Sequence, residues 1–212
     1  MIFISHVRGT GLLCRIPPDQ GTWRDCGRFA CLKAIAIAWA LLAVPGLWAQ
    51  GSKPTDFQVK AAYLYNFGRF VEWPTQTAAT RGDAFTVCVL GQDPFGPALD
   101  ATLAGGTIGG KRVIAKRISG PQESGNCQIL FFSFAEDGRL NKIMEAIDKQ
   151  AVLTVSDMPQ FAERGGMIQF VLEGNRVRFE VNLTATQHAG LKLSSELLKV
   201  ATAVRRNPLP GD

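Results

Sequence analysis

From Phe85 onward the chain alternates strand-like and helix-like segments, and that alternation limits its fold more than any other feature. Residues 85–90 (Phe-Thr-Val-Cys-Val-Leu) read as a strand, 94–103 as a short helix and 112–118 (Arg-Val-Ile-Ala-Lys-Arg-Ile) as a second strand. A Gly/Ser-rich turn over 119–126 leads into the strand 128–133. Leu140, Ile143, Met144 and Ile147 then recur at helical spacing within 138–149. Residues 151–155 form a further strand and 158–164 a helical turn. Residues 167–172 and 176–181 alternate apolar and polar around Glu173-Gly-Asn175, which is a hairpin signal. Ser194 caps a final helix carrying Leu197, Leu198 and Ala201. Parallel strands need crossovers long enough to hold a helix, and antiparallel ones need only a turn. The pattern therefore predicts an α/β chain: a single domain whose mixed sheet has about six strands, covering helices, and a C-terminal β-hairpin plus helix.

Ahead of the alternation lies an aromatic segment, 59–74, with Tyr63, Tyr65, Phe67, Phe70 and Trp73. At helical spacing, Phe57, Ala61, Leu64, Phe67 and Val71 form one apolar line, and Val59, Tyr63, Phe70 and Trp73 a second. One stripe is enough to seat a surface helix. Either this helix is nearly enclosed, or its extra apolar side is kept for a partner. Thr55 with Gln58 makes a capping box at its start, and Pro74 sets its end. Gly68 in its interior costs about 1 kcal/mol relative to Ala, which predicts a close approach by another element.

Upstream, Lys33 leads into about eleven apolar residues, followed by Pro45, Gly46 and the small Ala49. That order is the layout of a secretory signal peptide, and the run is shorter than the roughly 20 residues of a membrane span. The expected organisation is a signal peptide over 1–49, cut near Ala49, and an exported, periplasmic domain over 50–212. The leader holds five basic and two acidic residues, so 18 basic and 16 acidic ones follow it. The basicity of the whole chain thus belongs largely to the leader, and no basic stripe suited to nucleic acid remains. Cys14, Cys26 and Cys31 also lie in the leader, leaving Cys88 and Cys127. An isolated pair in an oxidising compartment reads as a disulfide; two buried thiols are the alternative.

Catalytic motifs fail on inspection. Gly105-Gly-Thr-Ile-Gly-Gly-Lys111 resembles a phosphate loop, but Arg112 stands where a Ser or Thr is needed and a strand follows in place of a helix. Beyond the leader there is one histidine, His188, and Asp56, Asp93, Asp157 and Glu180 are not paired by spacing. No catalytic residue, metal or cofactor is expected, and the chain is read as a non-enzyme. Gly91 to Gly96, at a strand end before a helix, is where α/β folds hold ligands. It supports an alternative reading as a small-molecule-sensing domain.

Several segments in order, Lys60-Ala-Ala-Tyr-Leu-Tyr-Asn-Phe67, Phe70-Val-Glu-Trp-Pro74, Val89-Leu-Gly-Gln-Asp-Pro-Phe-Gly96, Cys127-Gln-Ile-Leu-Phe131, Arg164-Gly-Gly-Met167 and Val177-Arg-Phe-Glu-Val-Asn182, resemble the YfiR family of periplasmic proteins. The resemblance implies a repressor of an inner-membrane diguanylate cyclase, bound through the cyclase's periplasmic region and lowering cyclic-di-GMP signalling in biofilm and motility control. It also implies an outer-membrane lipoprotein that sequesters the repressor, and a disulfide between Cys88 and Cys127. Some members carry a second cysteine pair near the Arg-Gly-Gly turn, which this chain lacks. Partner binding is expected at Phe70 and Trp73 and at Arg164, Met167 and Ile168. The excess apolar surface also admits a homodimer.

Overall fold

A computed structural model of the chain describes residues 54–74, 82–148 and 150–206. The expected leader, 1–49, lies outside the described residues. Helix α1 (Asp56–Phe70) opens with the expected capping box: the Thr55 side chain accepts from Gln58 N, and the Gln58 side chain accepts from Thr55 N at 2.8 Å. It stops at Phe70, before Pro74, because the chain turns into β1 (Val71–Glu72). The remaining elements are β2 (Ala84–Leu90), α2 (Pro97–Leu103), β3 (Thr107–Ile108), β4 (Lys111–Ile118), β5 (Ile129–Phe132), α3 (Leu140–Ile147), β6 (Leu153–Ser156), β7 (Ile168–Glu173), β8 (Arg176–Asn182), α4 (Leu183–His188), β9 (Lys192–Leu193), α5 (Ser195–Val200) and β10 (Ala203–Arg205).

Eight strands form one mixed sheet in the order β10-β8-β7-β6-β5-β2-β4-β3, and β1 with β9 makes a separate ribbon. Strands β4, β2, β5, β6 and β7 run parallel, while β8 turns back against β7 through a hairpin. Gly174 and Asn175 both have positive φ, 52° and 63°. That is the geometry of a two-residue type I′ turn, whose twist matches that of the strands. The sheet has two more strands than the expected six, since β3 and β10 are too short to show in the sequence. Residues 158–164 form consecutive turns in place of the expected helical turn.

Strand alternation places the core on both faces. Val87, Val89, Ile129, Phe131, Leu153 and Val155 face α1 and α2. Cys88, Leu90, Leu130 and Phe132 face α3 and Phe161. Cys88 and Cys127 form a disulfide on this second face, as expected. On the first face, Phe67 is fully buried, with ring centroids of Tyr63, Phe170 and Phe179 at 5.9, 5.9 and 5.1 Å. The first apolar line of the helix is therefore core from Ala61 onward. Its second line is half-buried and ends on exposed Phe70.

Gly68 meets the close approach its sequence position predicts. A Cβ there would lie 2.6 Å from Ile108 Cδ1 and 2.9 Å from Phe85 Cζ. Helix propensity favours Ala by about 1 kcal/mol, but crowding of a packed site costs about 1–3 kcal/mol. Ile108 can swing aside; buried Phe85 cannot. Gly68→Ala is expected to lower stability by about 1 kcal/mol, read by urea denaturation, and a stabilised variant would show that β3 yields freely.

Candidate functional site

The C-terminal edge of the parallel strands is where this fold class places ligands, at the point where the strand order reverses. Here that point lies between β2 and β5, because β2 leads outward to β4 and the chain then returns to the other side of β2 for β5. The crevice is filled by the protein itself. Glu136, on the 3-10 turn Phe134–Arg139 after β5, is buried and paired with Arg139. Its carboxylate lies so close that a Cβ on Gly91 would be 2.7 Å from Oε1. Phe95 packs edge-on against Phe131 with centroids 4.8 Å apart.

Charged pairs close the same edge. Lys60 Nζ donates to Asp157 Oδ2 at 2.5 Å and lies 4.9 Å from the centre of the Phe57 ring. Arg164 Nη2 donates to the Asp137 carbonyl at 3.2 Å, and its Nη1 reaches the Asp137 carboxylate. Arg117 Nε donates to Asp93 at 2.9 Å, Nη1 to Asp100 at 2.8 Å and Nη2 to the Gly96 carbonyl at 2.9 Å. The Arg117 contacts tie down the loop 91–96 and join it to Asp100 on α2. The Arg117 hydrogen bond holds the Asp100 carboxyl below its ordinary value of 3.8, against a smaller opposing effect of desolvation. A carboxylate with a depressed folded pKa stabilises above its unfolded pKa, and that contribution disappears as pH falls through the folded value. Stability should therefore decline below about pH 4, and Asp100→Asn should flatten part of that decline in thermal melts from pH 5 to about pH 2. An unchanged acid limb would show the pair to be screened by solvent.

The expected partner-binding residues fall into two separate groups. Phe70 ends α1 and is 37% exposed. Half-buried Trp73 stands edge-on to Phe85, at the start of β2, with centroids 5.2 Å apart. Its Nε1 is buried without a hydrogen-bond partner. The β1–β9 ribbon fixes this corner, with Ser194 N donating to the Phe70 carbonyl at 2.9 Å. The second group sits across the sheet, toward the C-terminal edge. Gly165 has a φ of +97°, and a Cβ on Gly166 would lie 2.2 Å from the Phe161 ring, which accounts for the Arg-Gly-Gly sequence. Arg164 is partly exposed, whereas Met167 and Ile168 are buried at the start of β7.

Residues 57–202 match the YfiR/HmsC-like family. The chain belongs to that family. The YfiR/HmsC-like family is regulatory rather than catalytic and acts from the periplasm, through protein partners, in cyclic-di-GMP signalling. Among the described residues no helix is long and apolar enough to cross a membrane. Two solved structures are distantly similar to this YfiR/HmsC-like chain. A conserved domain protein from Vibrio cholerae shares 10% identity over 73% of this chain and 62% of its own, with a TM-score of 0.48. The ABC domain in complex with L-Trp from Streptococcus pneumonia shares 11% identity over 62% of this chain and 60% of its own, with a TM-score of 0.44. This chain thus spans about three fifths of the length of either.

Sequence reasoning misses the charged contacts that close the C-terminal edge. Lys60 and Asp157 are 97 residues apart, so no local pattern joins them. The one available signal is the placement of Lys60, a lysine just before Ala61 on a predominantly apolar helix.

Proposed function

We propose that this protein is a periplasmic repressor that holds an inner-membrane diguanylate cyclase inactive by binding its periplasmic region. The observation that carries this reading is the family match over residues 57–202. In this reading the protein has higher affinity for the inactive receptor conformation, and that difference sets the degree of repression. Phe70, with Trp73 behind it, forms the first docking corner, an aromatic anchor of the kind that dominates interfaces. The turn leading to β7 forms the second contact, with Arg164 at its surface and Met167 and Ile168 as its buried base. The separation of the two groups suits a protein that meets a cyclase on one side and a sequestering outer-membrane lipoprotein on the other.

The test is cellular cyclic-di-GMP in a strain lacking the gene, compared with strains exporting residues 50–212 unchanged or with Phe70→Ala. Deletion should raise the nucleotide, the unchanged chain should restore it, and Phe70→Ala should restore it poorly at equal protein level. No rise on deletion would remove the repressor reading. Full restoration by Phe70→Ala would move the docking surface elsewhere.

A further inference from the structure

We propose that the outer edge of β4 is a docking site for an extended acidic segment of another protein, which adds to the sheet as one more strand. β3 covers only the start of this edge. It pairs Thr107 with Arg112 and Ile108 with Lys111, and Val113 N donates to the Gly106 carbonyl at 3.0 Å. Past Val113, no described strand lies outside β4.

The alternation of a strand decides which backbone groups stay open. Gly91 N donates to the Ile118 carbonyl at 3.4 Å, so Ile118, Lys116 and Ile114 turn their amides and carbonyls toward β2. Val113 turns its amide the other way, and Ala115 and Arg117 follow it. The N–H and C=O of both Ala115 and Arg117 therefore point outward, with no backbone partner among the described residues. Such a row is a template for a further strand.

The side chains select what kind of strand. On the face in register with Cys88, β4 presents Arg112, Ile114 and Lys116, all exposed. Arg112 makes no ion pair with a described residue. Lys116 Nζ stands 4.0 Å from Glu123 Oε2, an exposed contact of little energy, and Glu123 Oε1 accepts from Ser119 N at 3.0 Å. On the other face, Arg117 is already engaged by Asp93 and Asp100. Ile114, 36% exposed, lies uncovered between the two cations. Cations on an edge keep two copies of a chain from pairing, whereas opposite charges across a strand pair attract. In an antiparallel addition, one Glu opposite Lys116 meets that ammonium directly. A second Glu, opposite Ile114, lays its stem across the isoleucine and reaches diagonally toward Arg112. The pattern recognised is thus Glu-x-Glu in an extended segment without proline.

The probe is the end-blocked peptide Thr-Val-Glu-Thr-Glu-Thr-Thr, and its control has Lys in place of both Glu. Each is titrated into the purified, isotope-labelled full-length chain and followed by NMR. The acidic peptide should bind with a dissociation constant below about 1 mM, at least about ten-fold tighter than the control. Near saturation it should slow hydrogen exchange of the Ala115 and Arg117 amides about ten-fold, and that of Lys116, which faces β2, far less. Arg112→Glu with Lys116→Glu should reverse the preference between the peptides while the melting temperature holds. Ala115→Pro should abolish binding, because proline at an outward-facing edge position removes the donor and spares the ladder to β2. No binding, equal binding of both peptides, binding that leaves the two amides unprotected, or an unreversed preference would each overturn the proposal. So would a free chain that sediments as a dimer with both amides already protected, which would assign the edge to a second copy. No cyclase takes part, so these outcomes are independent of the repressor reading.

Discussion

Phe67→Ala should lower the stability of the folded chain by about 3–5 kcal/mol, the range for emptying a buried aromatic site. The ring is fully buried, stacked near Tyr63 and Phe170 and edge-on to Phe179. Its removal leaves three aromatic neighbours facing a cavity that they are too stiff to fill. Three residues further along the same helix, Phe70→Ala should change stability by about 1 kcal/mol or less, because that ring is 37% exposed. Guanidinium denaturation of the two variants side by side reads both values. In the proposed reading, the contrast separates two roles of the aromatic helix, one side seating the domain and one residue left for a partner. Equal losses in both variants would make Phe70 a packing residue and withdraw it from the docking corner.

Replacing both bridge cysteines, Cys88→Ala with Cys127→Ala, should cost about 4 kcal/mol, the loop-closure entropy of a bridge across 39 residues. In a domain of this size that corresponds to a fall in melting temperature of about 10 °C. The bridge ties β2 to the start of β5, its sheet neighbour, and so closes α2, β3 and β4 into one loop. Both cysteines are essentially inaccessible, at 0% and 1% exposure. A reductant should therefore act slowly on the folded chain and quickly once it unfolds. Under the proposed repressor reading, repression in cells should fall with the folded fraction. A reduced protein that melts at the same temperature as the oxidised one would show that the loop is held by its packing alone.

The elements that could be read in advance are those whose cause is local. The Thr55–Gln58 box, the parallel strands β2, β4 and β5 and the Gly174–Asn175 turn each rest on neighbours within a few residues, and all are found. Gly68 was legible for a related reason, since a glycine inside a helix needs an explanation and close packing is the common one. The β1–β9 ribbon, β3 and β10 were not legible, because strands of two or three residues exist only through their partners. Residues 158–164 mislead in the other direction. Their composition suits a helix, but Gln160 takes a φ of +58°, and Asn182 Nδ2 donates to the Ala162 carbonyl at 2.8 Å. A tertiary hydrogen bond outweighs a weak local preference. Among the partner-binding residues, Phe70 and Trp73 stood out as aromatics beyond what a core stripe requires. The burial of Met167 and Ile168 depends on where β7 begins beside β6, a register that the segment alone does not fix.

The aromatic cluster on α1 also governs when this protein can fold. Tyr63 and Phe67 lie near the beginning of the folded domain, and their ring partners Phe170 and Phe179 lie near its end. A chain emerging with its N-terminus first carries this aromatic helix with part of its seat missing until the final hairpin is released. Contacts of such long sequence separation form slowly. In the interval the exposed helix is a target for chaperones and for aggregation. A polypeptide cut short before Phe170 would strand the first helix as surely as it would lose the last strands, so a truncated product should be cleared rather than retain partial function.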